Sequence, residues 1–197
     1  MIDIDNISSK GPYLKFYDCY EEALAMNQDY IEAICVSSQY DNKVDSRFVN
    51  LKFIIDDQWI FFSNYRGPKG IQIENNNDIS CIFFWNKTNT QIRIKAKAKK
   101  TEVSFSDSYF KNRDYKKNAL AISSKQSVKT DSYDDILSKY KEVLKYHEDL
   151  GKRPDYWGGF SFTPYYFEFW QGHQSRINKR EVFEKNSDDW KQYFLQP

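Results

Sequence analysis

Between residues 91 and 99 apolar and polar side chains alternate without a break. Ile92, Ile94, Ala96 and Ala98 fall on one side of an extended chain, and Gln91, Arg93, Lys95, Lys97 and Lys99 on the other. A period of two is the mark of a strand with one buried face. Ile79, Cys81, Phe83 and Trp85 alternate instead with Ser80, Ile82 and Phe84, which predicts a strand covered on both faces. Shorter runs of β-forming residues lie at 31–38, 47–55 and 58–64. The polar stretch 39–43 reads as a turn, and Asp56-Asp57 joins the last two runs as a hairpin. Helical spacing over 13–28 places Phe16, Tyr17, Tyr20 and Leu24 on one face. Pro68 stands where a first helical turn accepts it, with a short helix over 69–75.

The second half predicts a helix over 106–121 and a longer one over 131–150. In the longer one Ile136, Tyr140, Val143, Leu144 and His147 share a face, with His147 expected as a packing residue. Gly151 and Pro154 end it. Trp157-Gly158-Gly159-Phe160 then leads into two aromatic strands broken at Pro164, a loop over 171–175 and closing strands near 180–184 and 189–194. Strands outnumber helices and adjoin one another without regular helical crossovers. The expected class is therefore mainly β with flanking helices (α+β), an antiparallel barrel with helices packed outside. No repeat or linker divides the chain, so one domain is expected.

Composition removes several functions. In 197 residues, 29 Lys and Arg face 28 Asp and Glu, so no net field favours nucleic acid or an anionic membrane. The basic run at 93–100 reads as the solvated face of a strand. Two histidines and three cysteines, without a CxxC or HExxH, leave no metal centre to expect. No Gly-x-Ser-x-Gly elbow, GxGxxG or Walker loop is present. The start of the chain lacks the basic and apolar stretches of a signal peptide, and no apolar run is long enough to span a bilayer, so the cytoplasm is the expected location.

What remains is a set of separated cations: Arg47, Lys52, Lys69, Arg113, Lys117, Arg176 and Arg180. Their contexts stand in one order. Ser-Arg-Phe-Val-Asn-Leu-Lys (46–52) is followed by Phe-Phe-Ser-Asn and by Lys69-Gly-Ile-Gln-Ile-Glu-Asn-Asn. Ser124-Lys125-Gln126-Ser127, Trp157-Gly158-Gly159-Phe160 and Phe167-Glu168-Phe169-Trp170-Gln171-Gly172 come after. From about residue 25 to the end this set resembles the pyridoxamine 5′-phosphate oxidase family of flavin enzymes.

The resemblance implies a Greek-key split β-barrel over 25–197, preceded by a helical or extended segment over 1–24. It also implies a homodimer with FMN at the subunit interface. Arg47, Val49, Lys52, Phe62, Ser63, Lys69, Gln91, Gln126, Ser127, Trp170 and Arg180 match its cofactor-binding positions. Lys52, Tyr109, Arg113, Lys117, Arg176 and Asn178 fall on its substrate positions, with Arg176 orienting the substrate ring. The implied reaction is oxidation of pyridoxamine or pyridoxine 5′-phosphate to pyridoxal 5′-phosphate, by hydride transfer to the flavin and reduction of O₂ to H₂O₂. Two alternatives are an oxidase of another flat heteroaromatic, as in phenazine pathways, and a non-catalytic flavin-binding protein.

Three residues depart from the family pattern. Pro68 replaces an arginine, although Arg66 is close by; Lys117 replaces a serine, and Asn178 a histidine. Arg47 and Lys52 also present a geometric problem. Five residues apart on a regular strand, they point to opposite faces, so either the strand is bulged or the two have different duties.

Overall fold

The computed structural model describes residues 1–187 and 189–197. The alternating segments form six strands that close on themselves: β2 (Ala33–Tyr40), β3 (Lys43–Ile55), β4 (Gln58–Asn64), β5 (Asp78–Trp85), β6 (Thr90–Lys100) and β7 (Trp157–Gln171). Around the ring the order is β3, β2, β5, β6, β7, β4 and back to β3, antiparallel at every step. The neighbours β2/β5 and β4/β7 are not consecutive in the chain, as a Greek-key path requires. Closure leaves these strands without free edges. β8 (Lys179–Asn186) and β9 (Asp189–Phe194) extend the sheet beyond β7. A short β1 (Asp3–Asp5) adds to β3 in parallel, a pairing the alternation pattern did not reveal.

The barrel is filled by Ile34, Val36, Leu51, Trp59, Phe61, Phe83 and Ile94, all fully buried. Helix α1 (Gly11–Ala25) adds to this core, with Tyr13, Phe16, Tyr20 and Ala23 on its buried stripe. The Phe16 ring lies 4.4 Å from Trp59 and 5.7 Å from Phe83. Burying such rings contributes about 1.5–3 kcal/mol each. Tyr17, expected on that face, is instead exposed.

Other expectations are revised. The 106–121 helix is two helices, α3 (Val103–Asn112) and α4 (Tyr115–Ser123). They part because the Asp114 carboxylate caps α4, accepting from the N–H groups of Lys116 and Lys117 at 2.8 and 3.3 Å. Helix α2 (Pro68–Asn75) starts at its proline, and α5 (Tyr133–Tyr146) is shorter than expected. α5 buries no residue, so His147 is exposed at its C-terminal end. There His147 Nδ1 accepts from the Asp149 N–H at 3.3 Å.

The two aromatic strands are the single strand β7. Pro164 is accommodated by a register shift opposite Lys95 and Ala96, which leaves Tyr165 as the extra residue. On β5 the outward face is open in one chain, with Phe84 58% exposed, because hydrophobicity alone does not show what covers a strand. On β6, Arg93 pairs with Glu168 at 2.8 Å, Lys97 with Asp78 at 3.0 Å and Lys100 with Glu74 at 2.9 Å. Among the described residues no helix is long and apolar enough to cross a membrane.

Candidate active site

Arg47 and Lys52 serve the same cavity because β3 is bulged between them. Leu51 pairs with Phe61 and Phe53 with Ile60, leaving Lys52 as the unpaired extra residue. The bulge turns Lys52 into a cavity of about 670 Å³ bounded by β3, β4, α2, α3 and α4. Arg47, Val49, Lys52, Phe62, Ser63, Lys69, Tyr109, Arg113, Lys117 and Gln126 all line it. Asp114 is the single carboxylate among the lining residues, against five cations.

The cations form two groups. In the first, Lys69 stands in the opening turn of α2, only 7% exposed, and its ammonium donates to the Ser63 hydroxyl. The Phe61 ring lies 5.7 Å from the ammonium, and no carboxylate pairs with it among the described residues. Burial first, and then the Arg47 guanidinium, hold its pKa down to about 8. Arg47 donates to the Ser38 hydroxyl at 2.6 Å and to Gln72 Oε1 at 3.0 Å, with Asp45 at 3.7 Å. Gln72 was not anticipated as a site residue. Its signal was the Lys-x-x-Gln spacing, which puts positions 69 and 72 on neighbouring turns of one helix face.

Two glycines of the quoted motifs fix α2 against the barrel. A Cβ at Gly70 would run into the backbone carbonyl of Tyr65, and one at Gly158 into the Tyr65 hydroxyl. Tyr65 is tied down by its N–H to the Tyr156 carbonyl at 2.6 Å and by its hydroxyl to the Gly159 carbonyl at 3.2 Å. Arg66 stands two residues before the position where the family pattern has its arginine. It lies over the Tyr156 ring at 5.2 Å, outside the cavity lining.

The second group is Lys52, Arg113 and Lys117. Burial lowers the Lys52 pKa, the neighbouring Lys117 and Arg113 charges lower it further, and Glu32 opposes them. The Asp114 carboxylate is already engaged by two backbone N–H groups of α4. The aromatic wall carries the rings of Phe62 and Tyr109, 3.7 Å apart and 9° from parallel, with Trp157 5.4 Å from Phe62 and 11° from parallel. The Arg113 guanidinium lies 4.8 Å from the Trp157 ring centre.

The remaining candidates are elsewhere in the single chain. Gln91, Trp170 and Arg180 stand in register across β6, β7 and β8. Arg180 Nε donates to the buried Glu168 carboxylate at 2.8 Å. Arg176 and Asn178 belong to the loop between β7 and β8. Ser127 follows the lining residue Gln126, at a positive φ of 66°.

A chain from Haemophilus influenzae, "Pyridoxine/pyridoxamine 5′-phosphate oxidase", is 35% identical over 95% of this chain and 90% of its own length. One of the same name from Leptospira interrogans is 30% identical over 100% of this chain and 92% of its own. The chain belongs to the pyridoxine/pyridoxamine 5′-phosphate oxidase family. Residues 157–197 match the family model "Pyridoxine 5′-phosphate oxidase C-terminal dimerisation region". As a member of this family the chain is an oxidoreductase with FMN as its cofactor, and its residues 157–197 are the part that the family model names for dimerisation.

Its fold is that of PhzG from Burkholderia lata in complex with tetrahydrophenazine-1-carboxylic acid (TM-score 0.89, 24% identity, 95% of this chain and 93% of that one). It is also that of a pyridoxamine 5′-phosphate oxidase-related, FMN binding protein from Nostoc punctiforme (TM-score 0.76, 12% identity, 92% and 97% covered). The donor set suits the cofactor. A buried ammonium without a carboxylate partner among the described residues, beside a guanidinium and a hydroxyl, offers the charge and donors that a flavin phosphate takes up.

Proposed function

We propose that the protein oxidises pyridoxamine and pyridoxine 5′-phosphates to pyridoxal 5′-phosphate, with O₂ reduced to H₂O₂ and, for the amine substrate, water taken up and ammonia released. The observation that carries this reading is the presence of two cation groups in one cavity, one at Lys69 and Arg47 and the other at Lys52, Arg113 and Lys117. Two phosphorylated molecules, cofactor and substrate, match two such groups. FMN, when bound, supplies the hydride acceptor and the route for electrons to O₂.

Lys69, Arg47, Ser63 and Gln126 hold the cofactor phosphate, with Val49 and Phe62 beside it. Lys52, Arg113 and Lys117 anchor the substrate phosphate, and Tyr109 walls its end of the cavity. Ser127 stands beside Gln126 on the phosphate side, and Gln91, Trp170 and Arg180, together with Arg176 and Asn178, act from the second copy of the chain in the homodimer. There Arg176 orients the substrate ring. No protein base of high strength is required, since close placement of substrate and cofactor does most of the work.

FMN-saturated protein is expected to turn over pyridoxamine 5′-phosphate and release equimolar peroxide, measured by a coupled peroxidase assay. Absence of both product and peroxide overturns the reading. A preference for a flat heteroaromatic carboxylate over the phosphate would favour the phenazine-type alternative. A yellow protein that oxidises neither would be a flavin carrier.

Lys117 makes a specific contribution here. Lys117→Ser is expected to raise KM for pyridoxamine 5′-phosphate about tenfold at low ionic strength, in line with the loss of one charge-assisted contact. The difference should shrink as salt screens the remaining attraction. An unchanged KM at all salt concentrations would remove Lys117 from the anchor.

A further inference from the structure

The loop that carries Arg176 is held by contacts that no part of the reaction scheme uses. At its start, Gln171 Nε2 donates to the Thr88 carbonyl at 2.9 Å, and Thr90 Oγ1 donates to Gln171 Oε1 at 3.0 Å. The Gly172 N–H donates to the Asn89 carbonyl at 3.1 Å. The entry to the loop is thereby pinned to the β5–β6 turn.

Within the loop, two side chains replace the ladder that a strand would provide. The Asn178 Oδ1 atom accepts from the His173 N–H at 3.0 Å, bridging the loop from end to end. His173 Nδ1 accepts from the Ser175 N–H at 3.1 Å, and the His173 carbonyl accepts from the Arg176 N–H at 2.9 Å. Arg176 itself has φ of 60°, in the left-handed region that a branched or long side chain seldom occupies. Such a conformation persists only where surrounding contacts over-determine it. Here those contacts come from His173 and Asn178.

We propose that His173 and Asn178 are positioning residues, which fix the backbone of Arg176 and so the direction in which its guanidinium is presented to the substrate. The inference rests on the reading that Arg176 orients the substrate. It also accounts for the departure at position 178. Asn178 spends its acceptor on the loop backbone, and the loop's imidazole stands at 173 with its Nδ1 engaged in the same latch.

The test uses the FMN-loaded dimer and three readouts: kcat/KM for pyridoxamine 5′-phosphate, the FMN dissociation constant and Tm. His173→Ala and Asn178→Ala are each expected to lower kcat/KM about tenfold through misplacement of Arg176, with FMN affinity and Tm unchanged. In the single chain His173 through Arg176 are exposed and Asn178 is half-buried, and neither His173 nor Asn178 belongs to the hydrophobic core, so these variants leave the core intact. The double variant should be little worse than either single one, because both act on one loop.

His173→Asn is the rescue. An asparagine side chain accepts from the N–H two residues ahead, as the imidazole does here, and activity should return to within about twofold of wild type. Arg176→Ala tests the underlying reading separately. If it keeps full activity, that reading falls whatever happens at 173. If it is inactive while His173→Ala and Asn178→Ala match wild type, or if His173→Asn fails to rescue, the positioning inference falls and the reading of Arg176 stands.

Discussion

Lys69→Met is expected to weaken FMN binding by about 100- to 1000-fold, the range for removing one member of a buried charge pair. The size follows from where the lysine sits. Its ammonium is buried, donates to Ser63 and has no carboxylate partner among the described residues, so a bound phosphate would be its counter-ion. Without cofactor the same burial is a cost, and methionine should leave the apo-protein as stable as wild type or more so.

The pH dependence has a defined sign. In the fold the lysine pKa falls from 10.5 to about 8. Between those values the unfolded chain holds a proton that the folded chain has released. Apo-protein stability should therefore rise with pH across this window, with the full cost present below it. FMN binding at pH 9 should take up about one proton in the wild type and less in the variant, because a phosphate dianion favours the charged lysine. Calorimetric titration in buffers of different ionisation enthalpy reads this directly. Equal FMN affinity in the two proteins would show that Lys69 is not the phosphate ligand.

The parts of this protein that were legible in its sequence are those with local causes. The alternation at Gln91–Lys99 gave the sixth strand its inward and outward faces, since that pattern depends only on the pleat. Arg47, Lys69, Arg113 and Lys117 were marked as cations with phosphate-binding contexts, and they do meet in one cavity.

What stayed hidden depends on the tertiary structure. The bulge at Lys52 is set by pairing with the facing hairpin strand, which spacing along one strand does not report. The break at Asp114 arises because a carboxylate at that position caps the helix beginning just after it, although the apolar spacing runs through. Gln72 of α2 supports the site only through the Arg47 guanidinium that β3 brings to it, a contact between distant parts of the chain. His173 carried no recognisable pattern, because its role depends on the shape of a loop.

Gly70→Ala is expected to destabilise the protein and to lower FMN affinity, although alanine is the better helix former by about 1 kcal/mol. That gain is outweighed by a collision. The new Cβ would enter the space of the Tyr65 carbonyl group. Tyr65 has little freedom to yield, being held by its N–H at the Tyr156 carbonyl and its hydroxyl at the Gly159 carbonyl. The first turn of α2 must then move, taking Lys69 with it. Overpacking of this kind costs about 1–3 kcal/mol and sometimes more, so a net loss of about 2 kcal/mol should appear as a lower urea midpoint.

Gly158→Ala provides the contrast, since its Cβ would meet the Tyr65 hydroxyl held at the Gly159 carbonyl, a collision that costs stability but leaves the Tyr65 backbone and the first turn of α2 in place. FMN affinity of Gly70→Ala should fall about tenfold if the helix carries the phosphate ligand. In Lys69→Met/Gly70→Ala that second loss should vanish, because the group being displaced is already gone. Two losses that simply multiply would mean that Gly70 acts on the cofactor by some path other than Lys69. A Gly70→Ala protein with wild-type midpoint and affinity would show that the contact with Tyr65 does not set the position of α2.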